Sequence, residues 1–110
     1  MKIEIVTIAD RGIASKERVH LRVTENTTLE YFVVFASRRT RPDRVLAGGL
    51  KAYWFATKDV KTGDSVILYT GSGSNSVRKN EDGTTDHFFY WGLANTVWDD
   101  PDGCGLLVEV

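Results

Sequence analysis

The chain has 110 residues, the size of one domain, and a 42% hydrophobic share that is enough for one core without metal or disulfide support. A net charge of −1 lacks the basic excess of a general nucleic-acid binder and leaves room only for a local basic patch. Cys104 is the lone cysteine, which excludes an internal disulfide and a cysteine-built zinc site and fits a reducing cytosol.

The periodicity is that of strands. Ile3 to Ile8 alternates, with Ile3 and Ile5 on one face, and no uninterrupted apolar run of signal-peptide type is present there. Arg18 to Thr24 sets Val19, Leu21 and Val23 inward against Arg18, His20 and Arg22 outward, as in a sheet with one wet face. A polar turn, "ENTT", leads to Leu29–Ala36, apolar at nearly every position and so expected to be covered on both faces or to lie at an interface.

From Ser37 to Gly49 the pattern breaks into a basic loop, bounded by Pro42 and the Gly48-Gly49 pair, with room for no more than one helical turn. Lys51 to Ala56 reads as a short strand, Gly63-Asp64 as a turn, and Ser65 to Thr70 as the next strand. Gly71 to Asp86 is a long polar stretch, of a length that in compact domains is functional or disordered. An aromatic strand then starts at His87. The turn "PDG" precedes a closing strand, "LLVEV". Seven short strands without a long helix predict one all-β, antiparallel, immunoglobulin-like β-sandwich over the whole chain. No run of about 18 apolar residues exists to cross a membrane, so the expected location is the cytoplasm.

Four pieces in this order resemble the lamin-tail domain family, over roughly residues 17–110. They are "ERVHLRVTENTTLEYFVVF", "AYWFATKDVKTGDSVILYTGSGSN", "YWGLANTVWDD" and "DGCGLLVEV". Three features depart from the family pattern: its Gly-Trp after the second strand is replaced by Phe32 to Phe35, aspartates follow Trp98, and the Ser37–Gly49 loop is unusually basic. The resemblance implies an immunoglobulin-like sandwich that acts as an accessory or interaction module, with contacts to proteins and in some cases to nucleic acid. It implies no catalytic residues and no cofactor.

Several short motifs suggest chemistry. "GSGSNSVRK" has the glycines of a phosphate loop but neither Gly-Lys-Ser/Thr nor a following helix, so it reads as a strand connection. Asp99, Asp100 and Asp102 offer carboxylates without the spacing of a calcium loop, and a strand-end turn is the expected role. His20 and His87 accompany no nucleophile motif, which leaves a small hydrolase as the last of the readings. Cys104, between two glycines, reads as buried filler.

Two groups remain as candidate sites. Arg38, Arg39, Arg41 and Arg44 form a basic loop suited to an anion such as a nucleotide or nucleic acid, which Arg78 and Lys79 join if the two loops share one end of the sandwich. Consecutive aromatics cannot all face the core, so Trp54, Phe32, Phe89 and Trp91 are candidates for a surface that meets a protein partner or a second copy. The first reading is therefore a non-catalytic protein-binding module, using a sheet face or edge and the adjoining loops Ser37–Gly49 and Gly71–Asp86, and the alternative is anion binding of a nucleic acid or nucleotide through the Arg38–Arg44 loop. No metal site and no cofactor are expected.

Overall fold

The computed structural model describes residues 1–41, 44–45 and 51–110, with side chains for residues 1–38 and 51–110. The described residues form eleven strands: β1 (Ile3–Ala9), β2 (Arg18–Val23), β3 (Thr27–Thr28), β4 (Phe32–Arg41), β5 (Arg44–Val45), β6 (Ala52–Trp54), β7 (Asp59–Val60), β8 (Ser65–Tyr69), β9 (Ser76–Lys79), β10 (Thr85–Tyr90) and β11 (Gly103–Glu109). One 3₁₀ turn, Leu29–Tyr31, leads into β4. The fold is all-β and sandwich-like. A five-stranded sheet runs β1-β2-β8-β10-β9, and a smaller one centres on β4, flanked by β11 on one side and by β5 and β6 on the other.

The seven expected strands are β1, β2, β4, β6, β8, β10 and β11, and four shorter ones were not foreseen. Leu29–Tyr31 tightens into the 3₁₀ turn, where Leu29 is buried, so β4 starts at Phe32. It continues to Arg41 because β11 pairs with it as far as Arg38 and β5 pairs with Arg39 and Arg41. The basic stretch thus begins as strand. Pro42, Gly48 and Gly49 lie outside the described residues.

The antiparallel expectation fails at one pair, since β8 and β10 run parallel. After β8 the chain crosses to β9 and returns as β10, which pairs with β9 on one side and β8 on the other. Three successive strands alternate in direction, so inserting the third between the first two makes it parallel to the first. The polar stretch Gly71–Asp86 supplies this crossing and is not a bare loop. It holds β9 and a tight turn at Asn80–Thr84, where Asn80 N–H donates to the Thr84 carbonyl and Gly83 adopts φ +89°.

Alternation builds the core. Val19, Leu21 and Val23 of β2, Val66 and Leu68 of β8, and Phe89 of β10 face Phe32, Val34 and Ala36 of β4. In β1 strict alternation would turn Ile8 away from Ile3 and Ile5. A bulge between Ile5 and Thr7 restores it, and Ile3, Ile5 and Ile8 all pack on the core. β1 meets β11 at Gly105, where a Cβ would stand 3.1 Å from Cδ1 of Ile5. A line of edge-to-face rings runs through the interior: Phe89–Phe55 at 5.1 Å, Phe55–Tyr53 at 5.0 Å, Tyr53–Trp91 at 6.0 Å and Trp91–Trp98 at 6.0 Å. Trp98 is fully buried and donates its indole N–H to the Cys104 carbonyl at 2.9 Å.

Candidate interaction surface and the polar sites

The two faces of the small sheet follow from the β4 register. Val33 is opposite Trp54 on β6 and Val108 on β11, and Phe35 is opposite Ala52 and Leu106. These residues share the outer face, because directly paired side chains project to the same side. Trp54 stands out of it, 63% exposed, with its indole N–H donating to the Glu30 carbonyl at 2.6 Å. Thr57 Oγ1 donates to Oε2 of the same glutamate. At the end of the face Val110 N–H donates to the Tyr31 carbonyl, and both of these side chains are exposed. The result is an apolar sheet face with one tryptophan held in a fixed orientation.

The other three expected surface aromatics go inward. Phe32 is completely buried, Phe89 is 6% exposed, and half-buried Trp91 packs between Tyr53 and Trp98. The cause is strand parity. In β10 the inward set is His87 and Phe89, so Phe88 and Tyr90 take the outer face of the large sheet, where Arg78 lies 5.6 Å from the Phe88 ring and Tyr90 stacks on Tyr69 at 5.1 Å. Of the four residues, Trp54 alone is exposed.

The arginines do not form one cluster. Phe89 touches Phe55, level with Phe32 at the start of β4, and Trp91 touches Tyr53, level with Val34. β10 therefore runs in the same sense as β4. Arg78, opposite Asp86 at the start of β10, stands at the end where β4 begins, and so does Lys79, while Arg38, Arg39, Arg41 and Arg44 stand at the end where β4 finishes. Arg38 pairs with Asp100 at 3.5 Å, and Arg78 pairs with Asp86 at 2.6 Å. The side chains of Arg39, Arg41 and Arg44 lie outside the described residues.

The remaining motifs take local roles. The Gly71–Asn75 segment is tied to the adjacent chain: the Gly71 carbonyl accepts from Gly92 N–H and Asn75 Oδ1 accepts from Tyr90 N–H. Strand β9 follows it, not a helix. In the acidic turn, Asp100 Oδ1 accepts from Asp102 N–H and the Asp100 carbonyl from Gly103 N–H. Among the described residues no group of three or more His, Cys, Asp or Glu is placed to hold a metal ion. Cys104 is half-buried and lies inside β11, which starts three residues before the expected strand.

Sequence reading missed two buried polar centres. Glu17 is completely buried: Oε1 accepts from Thr70 Oγ1 at 2.8 Å and Val97 N–H at 2.9 Å, and Oε2 from Gly12 N–H at 2.8 Å and Trp98 N–H at 3.2 Å. Asp64, in the turn before β8, meets Nε2 of buried His87 at 3.0 Å and accepts from the N–H groups of Lys61 and Thr85. Burial pushes the Asp64 carboxyl up, but the His87 contact and the two backbone donors outweigh it and hold the group below its usual range. His20 lies on the outer face of the large sheet and its Nε2 accepts from Arg18 Nε at 3.0 Å. Burial and the Arg18 charge, against a weaker opposing pull from Asp86, lower its pKa.

No family model matches the chain, and no curated protein matches it. No helix among the described residues is long and apolar enough to cross a membrane.

Proposed function

We propose that the protein is a non-catalytic interaction module of lamin-tail type that works in the cytoplasm and binds a partner polypeptide through the outer face of the small sheet. The observation that carries the reading is Trp54. A large aromatic ring left 63% exposed, yet fixed by a hydrogen bond from its indole to the Glu30 carbonyl, gives contact area at little entropic cost. Val33, Phe35, Leu106 and Val108 surround it with an apolar floor, and Tyr31 and Val110 extend the patch at one end. Tryptophan and tyrosine are the residues most enriched where binding energy concentrates. The lamin-tail part of the reading rests on the four sequence segments that resemble that family.

Anion binding through the arginines ranks second, because Arg38 and Arg78 each already face a carboxylate and stand at opposite ends of the sandwich. The test is affinity capture from the source cell with the intact chain and with Trp54→Ala, followed by reconstitution from purified components. A protein that binds the intact chain in solution and loses at least about tenfold in affinity on Trp54→Ala supports the reading. Capture that is unchanged in the variant, or no reconstituted complex, overturns it.

A further inference from the structure

A cleft opens where the segment carrying β7 faces the β9–β10 hairpin. It comprises two adjoining hollows of about 410 and 380 Å³ that share Lys58, Val77 and His87 as walls. The first hollow is polar and adds Lys61, Lys79 and Asn80, whereas the second adds Phe88, Phe89 and Ala56. Val77 lies opposite His87 in the β9–β10 ladder and is 49% exposed, so no second sheet among the described residues covers this corner of the sandwich.

Three observations converge on an anion. Lys58, Lys61 and Lys79 are exposed and make no ion pair among the described residues. The acids of the same hollow are Asp59 and Asp64, and Asp64 already accepts from His87 and two backbone donors, so the lysines leave an excess of positive charge. Finally, His87 is 4% exposed and its Nδ1 is a buried polar atom without a hydrogen-bond partner. A buried nitrogen left unpaired costs about 1–3 kcal/mol and marks a place where a partner is missing. Because the ionised Asp64 carboxylate accepts from Nε2–H, Nδ1 is the ring nitrogen left without a partner.

We propose that this cleft binds a small organic anion, its phosphate or carboxylate group held by Lys58, Lys61, Lys79 and Nδ1 of His87, and its apolar body laid against Val77 and Phe89. One proton lies between Nδ1 and the anion oxygen, either on the ring or brought in as the hydroxyl of a phosphate monoanion. The groups that set this proton's position are Asp64 behind the ring, Lys58, Asp59 and Lys61 on the β7 segment, and Lys79 on β9. The site does not include Trp54, and it stands whether or not the Trp54 surface binds a protein.

The experiment is NMR titration of the full chain with phenyl phosphate, with inorganic phosphate and benzyl alcohol as the two halves of the probe, and with benzoate for the carboxylate case. Saturable shifts at residues 58, 61, 77, 79 and 87, movement of the His87 Nδ1 ¹⁵N resonance, and tighter binding of phenyl phosphate than of either half support the proposal. The triple variant K58Q/K61Q/K79Q changes only exposed side chains and keeps the fold. It is expected to weaken binding at least about tenfold, and His87→Gln to weaken it as well, read from the shifts at residues 58, 61, 77 and 79. Absence of saturable binding of either anion, or affinity unchanged in the triple variant, overturns the proposal.

Discussion

The buried carboxylate of Glu17 accepts the backbone N–H of Trp98, 81 residues further along the chain, at 3.2 Å. It also accepts Val97 N–H, Gly12 N–H and the Thr70 hydroxyl, so one side chain ties the turn after β1, the end of β8 and the tryptophan segment to one point. Four donors on two oxygens suit a carboxylate and not an amide. Glu17→Gln keeps the volume but turns an NH₂ group toward backbone N–H donors. The expected loss is at least about 3 kcal/mol. For a domain of this size that lowers Tm by roughly 10–20 °C, readable by calorimetry. A variant that melts within a few degrees of the parent would show that the carboxylate does not have this role.

Asp64 makes acid stability testable. Its folded-state pKa lies below the ordinary 3.8 because His87 and two backbone N–H groups outweigh burial. A carboxylate with a depressed folded pKa contributes stability that is full above the unfolded value and fades as pH falls through the folded one. Asp64→Asn removes that contribution and weakens the contacts to Lys61 N–H, Thr85 N–H and His87. Urea unfolding is expected to show the variant about 2 kcal/mol less stable at pH 6. The gap between variant and parent then narrows below about pH 4, where the parent loses its advantage. A gap that stays constant down to pH 2.5 would contradict the assignment.

Gly73 bears on the outer face of the large sheet. A Cβ there would clash with Cε1 of Tyr90, whose ring lies nearly flat on Tyr69 with an interplanar angle of 12°. Gly73→Ala must push the ring away or lift the loop that Asn75 holds to Tyr90 N–H. The expected result is a loss of about 1–2 kcal/mol, with changed near-ultraviolet circular dichroism and displaced Tyr69 and Tyr90 ring resonances. Unchanged spectra would mean that the loop stands off the ring in solution.

How legible these features were depended on their range. Seven strands could be read because apolar alternation is local: Val19, Leu21 and Val23 declare their face within six residues. The short strands β3, β5, β7 and β9 could not, since two to four residues carry no period and exist only through their partners. The inward turn of Phe89 and Trp91 followed from parity, but "HFFYWGL" is aromatic at every other position too, so the sequence did not say which parity wins. That was decided by the register of β10 on β8, which sets His87 and Phe89 beside the buried Val66 and Leu68. Glu17 and Asp64 look like surface acids in sequence. Their burial depends on donors up to 81 residues away, and no local pattern encodes such a pairing.

The three tryptophans test the surface assignment directly. Trp98 is fully buried, Trp91 is half-buried against it, and Trp54 is 63% exposed. Trp54→Ala removes a hydrogen bond to a carbonyl that water then reaches, and the expected cost is within about 1 kcal/mol. Trp98→Ala empties a core position and leaves the Cys104 carbonyl unpaired, at an expected cost of about 4 kcal/mol. Acrylamide is expected to quench the parent's red-shifted emission and to leave the emission of Trp54→Phe largely unaffected, because the quencher reaches the one ring in solvent. On binding of a partner at this face the parent's emission shifts to the blue and its quenching falls, while the response of Trp54→Phe stays flat. Quenching that survives in Trp54→Phe would place the accessible ring elsewhere and remove the anchor of the proposed surface.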